Sequence, residues 1–277
     1  MNILPVLFGL LSATFWGAAD FGGGLVSKRT SAYGAVILGH TTGLVLLLAL
    51  AAIFREPLPP LEVWLWGGAA GLGGGFGLMF LYRALAEGRM SVAAPISAIV
   101  AVIIPLLVGA VMDGLPGAWT IVGFALALAA VWLISRREQA AVRLKALSMP
   151  VAAGLLCGLF FICVHQASQE SVIWPIVAVR LTSITSLLVY ALRARRPWLP
   201  QRAHWPLVIL SGVLDIGGNV CYVLAGQIGR LDVATALGSL YPGSTVILAC
   251  LILHERITRP QAAGVLLALV AIVLIAL

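Results

Sequence analysis

Asp20 stands inside "FWGAADFGGG" (residues 15–24), about seventeen residues into an apolar stretch that begins at Ile3. A carboxylate set in hydrocarbon costs several kcal/mol, so it is either compensated by a partner or kept for use. Low dielectric disfavours an ionised carboxyl, which suits such a group to holding a proton or a cation. Other polar side chains are scattered through the apolar sequence in the same way: His40, His165, Arg180, Asp215 and Asn219. Asp215 and Asn219 are four residues apart and Tyr222 is seven beyond Asp215, which puts all three on one helical face. Trp16 shares a face with Asp20 for the same reason. We expect Asp20, His165, Asp215 and Asn219 to face one cavity, with Trp16, Tyr222 and Tyr241 as its apolar walls. Asp20 or Asp215 would accept a proton. Carboxylates beside aromatics suit a cationic or zwitterionic compound, whereas His40 and Arg180 could hold an anion; amino acids satisfy both. The plainer reading of each is structural. An Asp paired to Arg or His fastens two helices, and single aromatics are packing.

The elements that carry these residues follow from composition. Of 277 residues, 61% are hydrophobic and 10% charged, with a mean hydropathy of +1.08. Soluble domains carry about 25% charged residues. Apolar runs of about twenty residues recur along the whole chain, each long enough to cross a bilayer. The fold class read from this is an all-α polytopic membrane protein of ten transmembrane helices, near 3–27, 33–54, 62–86, 90–112, 118–135, 149–168, 172–192, 204–228, 232–253 and 259–277. The first segment lacks a basic n-region and reads as a retained span. The net charge of +7 lies between spans, where it sets orientation, and no aromatic-plus-basic surface points to nucleic acid. Cys157, Cys163, Cys221 and Cys250 lie in apolar runs without paired spacing, so they read as inert thiols, with no metal or cofactor expected.

The ten spans are a duplication. A shift of 141 residues aligns 64–134 with 205–275 without a gap: Trp64 meets Trp205, Gly77 meets Gly218, and "GRMSVAA" (88–94) meets "GRLDVAT" (229–235). A shift of 145 lays "LPVLFGLLSATFWGAAD" on "MPVAAGLLCGLFFICVH", which pairs Asp20 with His165; a shift of 140 pairs His40 with Arg180. The expected domains are a five-helix repeat over 1–135, a basic cytoplasmic linker over 136–148 and a second repeat over 149–277. Five is odd, so the second repeat enters the membrane the opposite way round, an arrangement typical of secondary transporters with a site at mid-membrane.

All but three of the 17 Lys and Arg residues fall beside the loops after odd-numbered spans; the exceptions are Arg55, Arg180 and Arg230. The positive-inside rule then puts those loops in the cytoplasm and both termini outside. The glycines of "GLGGGFG" (71–77) read as helix-packing positions, not a phosphate loop. Pro95, Pro105 and Pro242 interrupt the backbone ladder of spans 4 and 9 and are hinge candidates.

The chain resembles the drug/metabolite transporter superfamily in its ten-helix EamA-type branch. The residues that carry the likeness are "FWGAADF" (15–21) with Lys28 after it, and "HERITRPQAAGVLLALVAIVLI" (254–275) near the end; "MDGLPGAWTIVG" (112–123) keeps only Gly123 of the corresponding turn in the first half. The resemblance implies export or exchange of small metabolites, amino acids or drug-like compounds without nucleotide hydrolysis. The expected function is a proton-coupled secondary exporter working by alternating access, in a prokaryotic inner membrane, as monomer or homodimer. Its partners would be a small-molecule substrate, the lipid bilayer and protons. A passive channel is the alternative. An integral-membrane enzyme is disfavoured by the lack of a His-box, an ordered Ser-His-Asp set or a phosphate-cradling loop.

Overall fold

The computed structural model describes residues 3–88, 90, 92–101, 117–135, 144–169, 171–195, 199–228, 237–238 and 240–275. These residues form helices α1 (Leu4–Ser27), α2 (Ala32–Phe54), α3 (Leu61–Glu87), α4 (Val92–Ala101), α5 (Ala118–Ser135), α6 (Leu144–Ala167), α7 (Ile173–Arg193), α8 (Trp205–Ile228), α9 (Tyr241–Ile252) and α10 (Arg259–Ile275). A short 3₁₀ turn, Arg202–His204, precedes α8. No strand occurs among the described residues. Each expected span overlaps one of these helices. Lipid explains the choice, because a helix satisfies every backbone group internally where no water is at hand. Six of the helices (α1, α2, α3, α6, α7 and α8) are long and apolar enough to cross a bilayer by themselves. Their outer faces carry bare large side chains such as Leu7, Val45, Leu65 and Leu210, which suits contact with lipid.

Two boundaries differ from the sequence reading. Helix α6 begins at Leu144, inside the segment expected to be a linker, and carries Pro150 within it. "LKAL" (144–147) is made of good helix formers, so the helix extends back past the proline. Pro242 opens α9 instead of interrupting a continuous span. The first turn of a helix needs no N–H from proline. Pro95 is buried in α4, and Pro105 lies outside the described residues.

The inversion can be read from which residues touch. Gly22 of α1 lies against Ser211 of α8, and Phe15 against Gly217, so α1 and α8 are antiparallel. Gly73 of α3 lies against Phe160 of α6 and Gly77 against Cys157, so α3 and α6 are antiparallel. Gly67 and Gly71 of α3 meet Ala178 and Thr182 of α7 in a parallel pair. The first and third helices of the second half therefore run against the first and third of the first half, and the second helices are likewise reversed. Contacts across the halves come in exchanged pairs: α3 with α6 answers α1 with α8, and α3 with α7 answers α2 with α8. Helices α5 and α10 pack on each other, each the partner of its own repeat equivalent. The chain is two inverted five-helix repeats.

Close helix approach makes this packing possible. The glycine run of α3 serves two neighbours at once: Gly67, Gly71 and Gly75 face α7, while Gly73 and Gly77 face α6. At Gly212 of α8 an added Cβ would stand 2.5 Å from the Gly39 carbonyl oxygen of α2. Side chains this small let two backbones come together where the hydrophobic effect gives no drive for association.

Candidate functional site

Asp20 of α1 lines a central cavity. Its walls come from both halves: Trp16 and Asp20 of α1, His40 of α2, Gly74 and Leu78 of α3, Cys157 and Phe161 of α6, Arg180 of α7, Asp215 and Asn219 of α8, with Tyr241 opening α9. The cavity is built by repeat equivalents. Gly218 of α8 packs on Trp16, and its equivalent Gly77 packs on Cys157, which sets the registers of α1 and α6 141 residues apart. In that register Asp20 corresponds to Phe161, Gly74 to Asp215 and Leu78 to Asn219, while His40 and Arg180 correspond one residue away. Both members of each of these pairs line the one cavity. It therefore lies at the interface of the halves, and in three of the pairs an acidic or amide group on one side answers glycine or an apolar group on the other.

The ionic groups are not equivalent. Arg180 Nη2 donates to Asp215 Oδ2 across α7 and α8, and their side chains are 3% and 13% exposed. Asn219 Nδ2 donates to the Asp215 backbone carbonyl at 2.7 Å. His40 Nδ1 shares a hydrogen bond with Ser183 Oγ at 2.7 Å, fixing the ring against α7; its Nε2 is buried with no partner among the described residues. Asp20 is 6% exposed, and no described residue donates a hydrogen bond to it. The Asp215 carboxyl lines the same cavity. Asp20 is thus the one cavity acid, among the described residues, without a donor.

Of the residues expected to share a cavity, Asp20, Asp215 and Asn219 line this one together with Trp16 and Tyr241, and His40 and Arg180 line it as well. His165 does not. It lines a second pocket with Ser168, Gln169, Tyr222 and Gln227, toward the C-terminal ends of α6 and α8. The 145-residue alignment is one helical turn too long, so it placed His165 opposite Asp20 when Phe161 stands there. Tyr222 belongs to this second pocket and also packs on Trp16 and Phe161, with ring centroids 5.4 and 5.8 Å away. Trp16 and Phe161 are 5.9 Å apart, so the three rings form a partition between pocket and cavity. At the other end Gly23 lies under Tyr82, and Gly24 under Leu85 and Met90, which closes α1 on α3.

Sequence pattern alone does not single out Ser183 and Cys157 as site residues. The 141-residue register contains the signal for Cys157, since it pairs that thiol with Trp16. Ser183 is ordinary in sequence and acquires its place only through the packing of α2 on α7.

The profile of the EamA-like transporter family matches residues 3–136 and again 144–277. The chain belongs to the EamA-like transporter family. It is a membrane transporter of the drug/metabolite type, and each half matches the family separately. An uncharacterized protein of Methanocaldococcus jannaschii is 25% identical over 131 residues, which is 46% of this chain and 96% of that relative. Nearly all of the archaeal protein thus corresponds to less than half of this chain, as a duplicated unit would. A crystal structure of a protein superposes with a TM-score of 0.71 at 14% identity, covering 98% of this chain and 95% of the other. That likeness concerns the fold.

Proposed function

We propose that the protein is a secondary active exporter of small organic molecules, driven by protons and working by alternating access. The observation that carries this reading is the cavity at the interface of inverted repeats, lined by equivalents from both halves. Two similar halves can exchange roles, one closing its side as the other opens. The contacts differ between the halves in that sense: α1 packs on α3, while α6 and α8 diverge around the second pocket. A carboxylate buried without a donor can be neutralised by a proton or by a cation, which makes Asp20 the group through which proton and substrate would be linked. Asp215 is less suited to that role, being engaged by Arg180.

The concentration of Lys and Arg beside odd-numbered loops favours cytoplasmic placement of those loops and external termini, in a prokaryotic inner membrane. The second pocket then faces outward. The test is flux in proteoliposomes. Saturable uptake driven by an imposed pH gradient supports the exporter; flux that rises without saturation and ignores the gradient would mean a channel.

A further inference from the structure

The charges around the cavity do not cancel. Two carboxyls, Asp20 and Asp215, face one guanidinium, Arg180. Arg180 is the more deeply covered member of its ion pair, and its free Nε lies toward Gly43 of α2, where an added Cβ would be 3.6 Å from it. The guanidinium is therefore directed into the α2–α7–α8 seam. An anion entering the cavity would meet Asp215 before it met Arg180. Asp20 is 6% exposed and faces the cavity without a donor. Rings line the same cavity: Trp16 lies one turn before Asp20 on α1, and Phe160, Phe161 and Tyr241 add to the wall. A carboxylate that needs a counter-charge and aromatic faces that attract cations favour the same ligand.

We propose that this cavity binds an organic monocation, an ammonium attached to an apolar or aromatic body, with Asp20 as its counter-ion and the rings as its cage. The inference rests on the transporter's central cavity and narrows the substrate class of that same site. The ammonium sits at Asp20, within the field of Asp215, and the body lies against Trp16 and Phe161. His40 Nε2, without a protein partner among the described residues, meets a polar group at the far end of the ligand. An amino acid is a poorer fit, because its carboxylate would face two acids with no unengaged cation to receive it. The remaining titratable groups on or next to the wall, Tyr82, Cys157 and Tyr241, add no cation.

The test uses one scaffold in three charge states. Phenethylamine, phenylalanine and 3-phenylpropionate are titrated calorimetrically into the full chain in lipid nanodiscs at neutral pH. The amine is expected to bind at least tenfold tighter than the zwitterion, and the anion not to bind. Asp20→Asn should weaken the amine at least tenfold, and Asp20→Glu should restore part of the loss. Equal binding of amine and zwitterion, preferred binding of the anion, or an amine affinity unchanged in Asp20→Asn would each overturn the proposal. If Asp20→Asn does not fold, the three-ligand comparison on the unmodified protein still decides. Counterflow in proteoliposomes separates the two readings. Amine binding without counterflow would leave the cation site and remove the exporter; counterflow of phenylalanine with no competition from the amine would do the reverse.

Discussion

Arg180 and Asp215, 35 residues apart on α7 and α8, form an ion pair in the wall of the central cavity. Arg83 with Glu87 on α3 is, by contrast, an exposed ion pair. Breaking a buried pair leaves an uncompensated charge and costs about 3–5 kcal/mol, whereas replacing both partners by apolar groups is often neutral. Asp215→Leu alone and Arg180→Met alone should each lower the melting temperature in detergent markedly. The double variant should recover most of the loss. Additive losses in the thermal unfolding measurement would show that the pair is not a unit.

The packing of α2 on α8 gives a second expectation. At Gly212 an added Cβ would stand 2.5 Å from the Gly39 carbonyl oxygen and 2.9 Å from the Gly39 Cα, both backbone atoms that cannot swing away. Gly212→Val should destabilise the protein by about 1–3 kcal/mol, the usual cost of overpacking. Gly117, where an added Cβ would have nothing within 4 Å, is the control, and Gly117→Ala should be neutral. The check is the fraction of monodisperse protein by size-exclusion chromatography together with its melting temperature.

Much of this architecture is legible in the sequence because lipid simplifies the code. Apolar run length marks each helix, and basic residues mark the ends. Matched landmarks such as Gly77 and Gly218 reveal the duplication. The error over His165 has a physical origin. Sliding a helix by four residues turns it by only about 40° but moves it about 6 Å along its axis. The polar face is nearly preserved, so a pattern of faces does not expose the mistake. Depth is set by contacts between distant segments, here Trp16 on Gly218 and Cys157 on Gly77. The Arg180–Asp215 pair and the His40–Ser183 bond are hidden for the same reason: each depends on how distant helices are stacked.

Orientation can be checked with two exposed positions. Lys28 follows α1 and Pro57 follows α2, so they lie on opposite sides of the membrane. In a background without the four native cysteines, Pro57→Cys should react with a membrane-impermeant maleimide on intact cells. Lys28→Cys should react only after permeabilisation. The opposite labelling would reverse the assignment made from the Lys and Arg distribution.

The three-ring partition makes the last prediction. Trp16, Phe161 and Tyr222 stand with centroids 5.4 to 5.9 Å apart between the second pocket and the cavity that holds Cys157. A small thiol reagent arriving through the pocket must pass those rings to reach that sulfur. With Cys163, Cys221 and Cys250 replaced by alanine, Cys157 reports on passage. Phe161→Ala deletes a ring that contacts both others, so the rate of Cys157 modification by a methanethiosulfonate should rise at least tenfold. Tyr33→Phe, on α2 and remote from the partition, should leave the rate unchanged. An amine occupying the cavity should slow the reaction in both backgrounds. If Phe161→Ala leaves the rate where it was, the rings are packing and the route to the cavity lies elsewhere.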